Sequence, residues 1–278
     1  MKTKTKKLKK TLLIWYKKNK RTFSWRETKD PWKILLIEIL SQQTQIERAD
    51  TYYKKFIKEF PSPTSMSNSS LKKVLTMWSG LGYNNRARRL YESSKILAEN
   101  GFDKIYPDFE TLPGVGQYTK NALLSFAYGE KVLAVDTNLE RIFSRFFGID
   151  NTKDFIKDNS DYFLRKVNSR DLNQAFMDFG SYICKSSNPK CDICPLEITC
   201  SKYFFEKNNS IEKFRGSNRE LRGKLLKLLL ENNKIKRDEI YIKIDEKEEK
   251  IEKALHGLEK DNLIILKKNI IEINSNLY

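Results

Sequence analysis

Glu38 sits in the run ILLIEILSQQTQ (residues 34–45), with apolar residues on both sides. A carboxylate in such a place loses its hydration, which costs several kcal/mol unless a partner or a proton offsets it. Glu38 therefore reads in two ways: a structural acid paired with an Arg or Lys, or a carboxyl whose raised pKa makes it a proton donor near neutral pH. Asp136 closes the apolar run of KVLAVDTNLERIFSRFF. By itself it reads as a helix N-cap, with Thr137-x-x-Glu140 as a capping box. A carboxylate at a helix N-terminus is expected to stay ionised, which also suits stabilising a developing cation. One acid pushed towards protonation and one held ionised would make an acid/base pair.

The four cysteines, Cys184, Cys191, Cys194 and Cys200, have the spacing C-x6-C-x2-C-x5-C. In an intracellular protein such a cluster marks a metal site rather than a pair of disulfides. Spacing leaves a four-thiolate zinc site and an iron–sulfur cluster both open. Lys185 and Lys190 fall in the loop that this site would pin down, so they read either as phosphate contacts or as solvated lysines.

The elements that must position these residues are mainly helical. Asp30-Pro31 opens a helix running towards Phe60 with a break near Ser41. Leu71–Trp78 and 86–100 read as helices stopped by Gly80 and Gly101. Two G-x-G stretches, beginning at Gly80 and Gly114, each precede an amphipathic helix, where outward-turned amides favour an anion. With Leu112-Pro113 ahead of it, the second gives LPGVG, the helix-hairpin-helix pattern. Near the end, helical patterns at 219–231, 236–242 and 246–261 precede LIILKKNIIEI, which alternates as a β-hairpin would, and together they suggest a winged helix.

Composition sets the partner. The 278 residues carry a formal charge of +17 at 39% hydrophobic content, a globular composition that favours a polyanion. No apolar stretch reaches the ~18 residues that span a bilayer. The first 21 residues hold ten Lys/Arg and no acid, a basic arm running into helix without the features of a signal or transit peptide. Residues 216–278 hold 14 basic and 12 acidic side chains, so +15 of the +17 lies upstream.

Five motifs, in order, carry a resemblance: FSWRETKDPWKILLIEILSQQTQ, WSGLGYNNRARRL, LPGVGQYTKNAL, VDTNLERIFSRFF, and NQAFMDFGSYIC ahead of the four cysteines. Over roughly residues 8–205 the sequence resembles the helix-hairpin-helix DNA glycosylase superfamily and, within it, the adenine DNA glycosylases of the MutY family. The resemblance implies an all-α fold, with an iron–sulfur helical domain over 1–29 and 137–212 and a six-helix barrel domain with the helix-hairpin-helix over 30–136; the winged-helix-like unit over 216–278 lies outside it. It also implies a [4Fe-4S] cluster on Cys184, Cys191, Cys194 and Cys200, and a cytoplasmic monomer acting on double-stranded DNA that contains a mispaired adenine. No membrane association is expected.

Position by position, Glu38 matches the family's general acid and Asp136 the aspartate opposing the sugar cation. Asn138 matches the asparagine beside that aspartate. Gln43 and Tyr83 match residues inserted into the DNA stack, Trp25, Arg26 and Asp178 fall where the family builds its adenine pocket, and Gly114 and Gly116 belong to the phosphate-holding hairpin. Tyr118 stands where strand-cutting relatives carry a Schiff-base lysine, so the resemblance implies a monofunctional hydrolase. A thymine-removing family also carries tyrosine there; the QQTQ run at 42–45 is what favours adenine. The family usually ends in a larger, β-rich, Nudix-like domain, in place of which this sequence has about 60 residues of winged-helix type; Ser24 and Thr137 replace a more usual proline and glycine. Two rivals remain: a mismatch thymine or uracil glycosylase on the same scaffold, and a DNA-binding protein without catalysis.

Overall fold

The computed structural model describes residues 2–204 and 214–274. In chain order its elements are α1 (Lys2–Asn19), α2 (Pro31–Ser41), α3 (Ile46–Glu59), α4 (Pro63–Ser67), α5 (Leu71–Trp78), α6 (Asn85–Ile105), α7 (Gln117–Phe126), α8 (Thr137–Phe147), α9 (Thr152–Leu164) and α10 (Ser169–Tyr182). The C-terminal part adds α11 (Asn218–Asn232), β1 (Lys234–Lys236), α12 (Arg237–Lys243), α13 (Glu248–Lys260), β2 (Ile264–Lys267) and β3 (Ile270–Ile273). The chain forms two compact units, Met1–Glu38 with Val115–Asn208, and Ile39–Gly114 with Asn209–Tyr278. The first takes in residues 30–38 and 115–136, which the sequence reading gave to the barrel; the expected boundary at 212 lies outside the described residues.

In the first unit, Leu8, Leu12 and Tyr16 recur every four residues on the lysine-rich α1 and are buried, an apolar stripe that packs on α10. Two lysines of the basic arm serve the fold itself. Lys9 Nζ donates to the carbonyls of Tyr162 (3.2 Å) and Arg165 (2.8 Å), at the C-terminal end of α9 where the helix dipole favours a cation. Lys4 Nζ donates to Ser201 Oγ at 2.8 Å. Helix α8 buries Leu139, Ile142, Phe143 and Phe146, the i, i+3, i+4, i+7 face, with the Phe143 ring against Phe163 and Phe176 at 4.7 and 5.4 Å.

The segment 132–135 before Asp136 belongs to no helix or strand, so its backbone, buried at Leu133 and Ala134, needs side-chain partners. Fully buried Asn173 supplies them: its Oδ1 accepts from Ala134 N at 2.9 Å and its Nδ2 donates to Val132 O at 2.9 Å. Asn121 Nδ2 donates to Leu133 O at 2.9 Å. These three bonds deliver Asp136 to the start of α8.

In the second unit, Ser62 and Ser70 cap α4 and α5 by accepting backbone N–H bonds. Gly101 (φ 72°, ψ 166°) ends the first helical stretch of α6 as expected, and a second short stretch follows across the kink to Ile105. The expected β-hairpin is β2–β3, and β3 pairs on its other edge with β1, giving an antiparallel sheet of order β1-β3-β2 behind three helices, as in a winged helix. Strand β1 is too short, KIK, to leave a periodic signal. Helix α11 packs on α5 and α13. Asn85 Nδ2 donates to Asp261 Oδ1 at 3.1 Å, Lys72 bonds Asn233, and Arg222 bonds both Asp261 and the Gly257 carbonyl (3.2 Å), so the C-terminal segment and the barrel helices form one packed body. Among the described residues no helix is long and apolar enough to cross a membrane.

Candidate active site

Glu38 lies on α2, whose residues 34–40 are all buried, and is itself 6% exposed. Burial pushes its carboxyl from the ordinary 4.5 up to about 7. The Tyr118 hydroxyl of α7 donates a hydrogen bond to it and pulls the pKa back in part; the charge of Asp136 raises it and that of Arg26 lowers it. Tyr118 in turn is held well above the ordinary tyrosine value, first by burial and then by the two carboxyls, so it stays a neutral O–H donor. The buried Glu38 carboxyl thus has a phenol as a hydrogen-bond donor.

Asp136 caps α8. Its Oδ1 accepts from Leu139 N at 2.8 Å and its Oδ2 from Asn138 Nδ2 at 2.6 Å. Since α8 begins at Thr137, the third helical residue is Leu139, so the expected box with Glu140 does not form. Burial raises the Asp136 pKa, and the Leu139 N–H, Asn138 and Arg141 offset that only in part. Asn138 is pinned from behind: its Oδ1 accepts from Arg141 Nη2 at 2.7 Å, and that guanidinium also donates to Gly180 O (2.9 Å) and Cys184 O (2.8 Å).

Arg26 and Asp178 form a bidentate ion pair, with Nη2–Oδ1 at 2.6 Å and Nη1–Oδ2 at 3.1 Å, and are 5% and 1% exposed. Arg21 adds its Nε to Oδ1 (2.8 Å) and its backbone N to Oδ2 (3.2 Å). Asp178 thereby has both oxygens engaged, which leaves it a holder of Arg26 rather than a free acceptor. Trp25 stacks on Phe23 (5.2 Å, 9°), its Nε1 is buried with no hydrogen-bond partner among the described residues, and Arg26 lies 5.2 Å from its ring centre.

Cys184, Cys191, Cys194 and Cys200 are all free thiols and line one small cavity with Arg145, Pro189 and Phe204. Arg145 Nη1 lies 3.6 Å from Cys184 Sγ and Lys202 N 3.4 Å from Cys200 Sγ, donors that suit anionic sulfur. Among the described residues no three His, Cys, Asp or Glu side chains close into an ion-binding arrangement. Burial and the neighbouring thiols push Cys194 up to about 11. Four thiols lining one cavity, two of them with N–H donors at sulfur, have the chemistry of a thiolate-ligated group. Of the loop lysines, Lys190 sits 4.1 Å from the Tyr182 ring centre, and the Lys185 carbonyl accepts from Arg145 Nη1.

In the second unit, Gln43 (φ 52°) and Tyr83 (φ 48°) are exposed and both adopt left-handed backbone, a strained state for non-glycine residues. Arg86 holds both turns. Its buried guanidinium donates to the carbonyls of Ile39, Leu40, Gln42, Leu81 and Gly82 and to Thr44 Oγ1, and burial lowers its pKa to about 10. In the LPGVG hairpin Gly114 takes φ 85°, and a Cβ there would meet Arg89 Cβ at 3.2 Å. Gly116 is extended and caps α7.

Residues 36–162 match the family described as HhH-GPD superfamily base excision DNA repair protein. An adenine DNA glycosylase of Buchnera aphidicola subsp. Baizongia pistaciae is 38% identical over 205 residues, 71% of this chain and 58% of that protein. An adenine DNA glycosylase of Mycobacterium tuberculosis is 31% identical over 235 residues, 78% of this chain and 77% of that one. The chain belongs to the adenine DNA glycosylase family. A solved structure of a thermostable thymine-DNA glycosylase is 28% identical with a TM-score of 0.66, covering 72% of this chain and 97% of that one. The chain spans 57–58% of the length of the three Buchnera relatives it matches.

Sequence reasoning passed over three residues that the structure makes central. Arg86, in WSGLGYNNRARRL, looks like one basic residue among several, and only its burial separates it from Arg88 and Arg89. Arg141 ties Asn138 to the cysteine loop through backbone carbonyls that leave no sequence trace. Gly180 is the third. A Cβ there would lie 2.5 Å from Asn138 Cβ, so glycine is what lets α10 press against α8 beside Asp136; the FGSYIC motif contains the signal but not its meaning.

Proposed function

We propose that the chain is a monofunctional DNA glycosylase of base-excision repair, which hydrolyses the N-glycosidic bond of adenine mispaired with guanine or 8-oxoguanine. The observation that carries this reading is the Glu38 carboxyl, buried, brought to a pKa of about 7 and hydrogen-bonded by Tyr118, with the charge of Asp136 felt at the same place. Adenine flipped out of the duplex would be protonated by Glu38 on a ring nitrogen, so that the glycosidic electron pair leaves with the base. The sugar is left as an oxocarbenium cation. That cation offsets the cost of burying the Asp136 carboxylate, the burial that raises its pKa. Water adds to the sugar carbon as Glu38 takes back a proton, leaving an abasic site. Tyr118 offers no amine for a Schiff base, which supports hydrolysis without strand cutting.

Trp25 and the Arg26–Asp178 pair would wall the base pocket, and the Gly114–Gly116 hairpin and Lys185 and Lys190 would meet phosphates. Cys184, Cys191, Cys194 and Cys200 would hold a [4Fe-4S] cluster, which when bound fixes the loop carrying the two lysines and can exchange electrons. The match to adenine DNA glycosylases along most of the chain supports adenine. The likeness to a thymine-DNA glycosylase favours a second reading, removal of thymine from T:G mispairs. Single-turnover excision on A:G, A:8-oxoguanine and T:G duplexes tests both: adenine release from the first two is expected, and release of thymine alone would overturn the proposal. A purely DNA-binding role is disfavoured because a binder has no use for a buried, protonatable acid.

A further inference from the structure

Tyr83 is held by a residue from the other end of the chain. Arg219 Nη1, on the first turn of α11, donates to the Tyr83 hydroxyl at 2.5 Å, and its guanidinium lies 5.5 Å from the ring centre. The two residues line one open cleft, within the second unit, between the 43–48 and 79–84 segments and α11. Among the described residues it is lined by the apolar Leu75, Leu226 and Leu230, by the cations Arg48, Arg219, Lys224 and Lys227, and by the acid Glu220. Residues 216–278 are close to neutral only because seven of their twelve acids fall at 238–252, outside this cleft. Lys224 and Lys227 do pair with Glu220 (3.0 Å) and Glu231 (4.0 Å), but exposed pairs of this kind are worth little and exchange readily for phosphate.

We propose that α11 belongs to the DNA interface, with Arg219 a positioning residue that fixes Tyr83 at the duplex while the cations lining the cleft meet backbone phosphates. The inference rests on the glycosylase reading for its ligand class, double-stranded DNA. Arg48, Arg219, Lys224 and Lys227 outnumber the Glu220 and Glu231 carboxylates beside them, and a net basic cleft suits a polyanion. An exposed aromatic ring with a strained backbone suits a group committed to stacking against a base, because its conformation is then set before binding. Arg219 is the contact that sets it: its planar guanidinium bonds the hydroxyl and lies beside the ring. The C-terminal segment, which is not a Nudix-like domain, thus takes a direct share in reading the duplex.

The test is equilibrium binding of the full-length protein, in a Glu38→Gln background that prevents turnover, to matched and A:G-mispaired duplexes across a salt series. Arg219→Ala should weaken mispair binding about tenfold and lower the salt slope by about one unit. Lys224→Ala with Lys227→Ala should weaken both duplexes alike. Tyr83→Phe combined with Arg219→Ala should cost no more than the larger single change, since each removes the same bond. Arg219→Lys should keep the slope yet lose much of the mispair preference. Unchanged affinity and slope in Arg219→Ala and in the double lysine variant would overturn the proposal. So would a loss confined to thermal stability, or weaker binding of single-stranded RNA or a peptide with duplex binding intact. If the parent excises no adenine while these variants still lose duplex binding, the glycosylase reading fails and the interface stands.

Discussion

Glu38→Gln separates the chemistry of the acid from its structural cost. The amide cannot donate the proton, so single-turnover excision should fall by about 10²–10⁴-fold with duplex binding retained; near-normal rates would exclude Glu38 as the acid. Stability should move the other way. The folded carboxyl titrates near 7 and the unfolded one near 4.5, so between those values the native state binds more protons and stability falls as pH rises. Above pH 7 the full cost, about 3 kcal/mol, is in place. Glu38→Gln should therefore have the higher urea midpoint at pH 8 and show no such gain at pH 4. The same pKa sets the rate profile, with excision declining as pH rises through about 7. Tyr118→Phe removes a hydrogen bond that favours the charged carboxylate, so the alkaline limb should shift to higher pH.

At the level of elements, the close contact between α8 and α10 is the sensitive joint. Gly180→Ala places a methyl 2.5 Å from Asn138 Cβ, and the helices must part. Overpacking of this kind costs about 1–3 kcal/mol. Because Asn138 then loses its place beside Asp136, excision should fall further than duplex affinity does. Circular dichroism melts alongside single-turnover rates would show the two effects. The cysteine loop is a second joint, tied to α8 by Arg141 and Arg145. Cys191→Ser should abolish iron binding and the cluster's brown absorbance and weaken duplex binding, with a smaller effect on excision at saturating enzyme; stoichiometric zinc without iron in the purified parent protein would refute the cluster.

For the molecule as a whole, residues 216–278 read in the sequence as a detachable appendage whose removal leaves cleavage intact. Every residue assigned a chemical role does lie upstream. Packing changes the expected outcome for stability, because α11 rests on α5 and joins the barrel helices through Asn85–Asp261 and Lys72–Asn233. Truncation after residue 215 strips that cover from apolar side chains such as Leu75. The truncated protein should melt at lower temperature, and excision measured well below that melt should persist. A truncated protein with unchanged stability would show that α11 is only laid against the barrel.

The sequence by itself determined the features that local physics encodes. An acid inside an apolar helical run had to be buried, and Asp136 at the end of another run had to cap a helix. The break near Ser41 and the alternating LIILKKNIIEI followed from turn and pairing chemistry that spans a few residues, and the four thiols were marked by spacing alone. What tertiary structure decided were contacts between residues far apart in the chain. Tyr118 meets Glu38 from 80 positions away. Asn173 supplies the backbone of 132–134, Arg86 clamps two turns through carbonyls, and Arg219 reaches Tyr83. Such bonds join a side chain to a backbone or to a distant group, so neither periodicity nor propensity carries them. Asp136 shows the limit most clearly. Its helix N-terminus was legible, and with it the cap that lowers a carboxyl's pKa, but the burial that raises it exists only once the helices have packed around it.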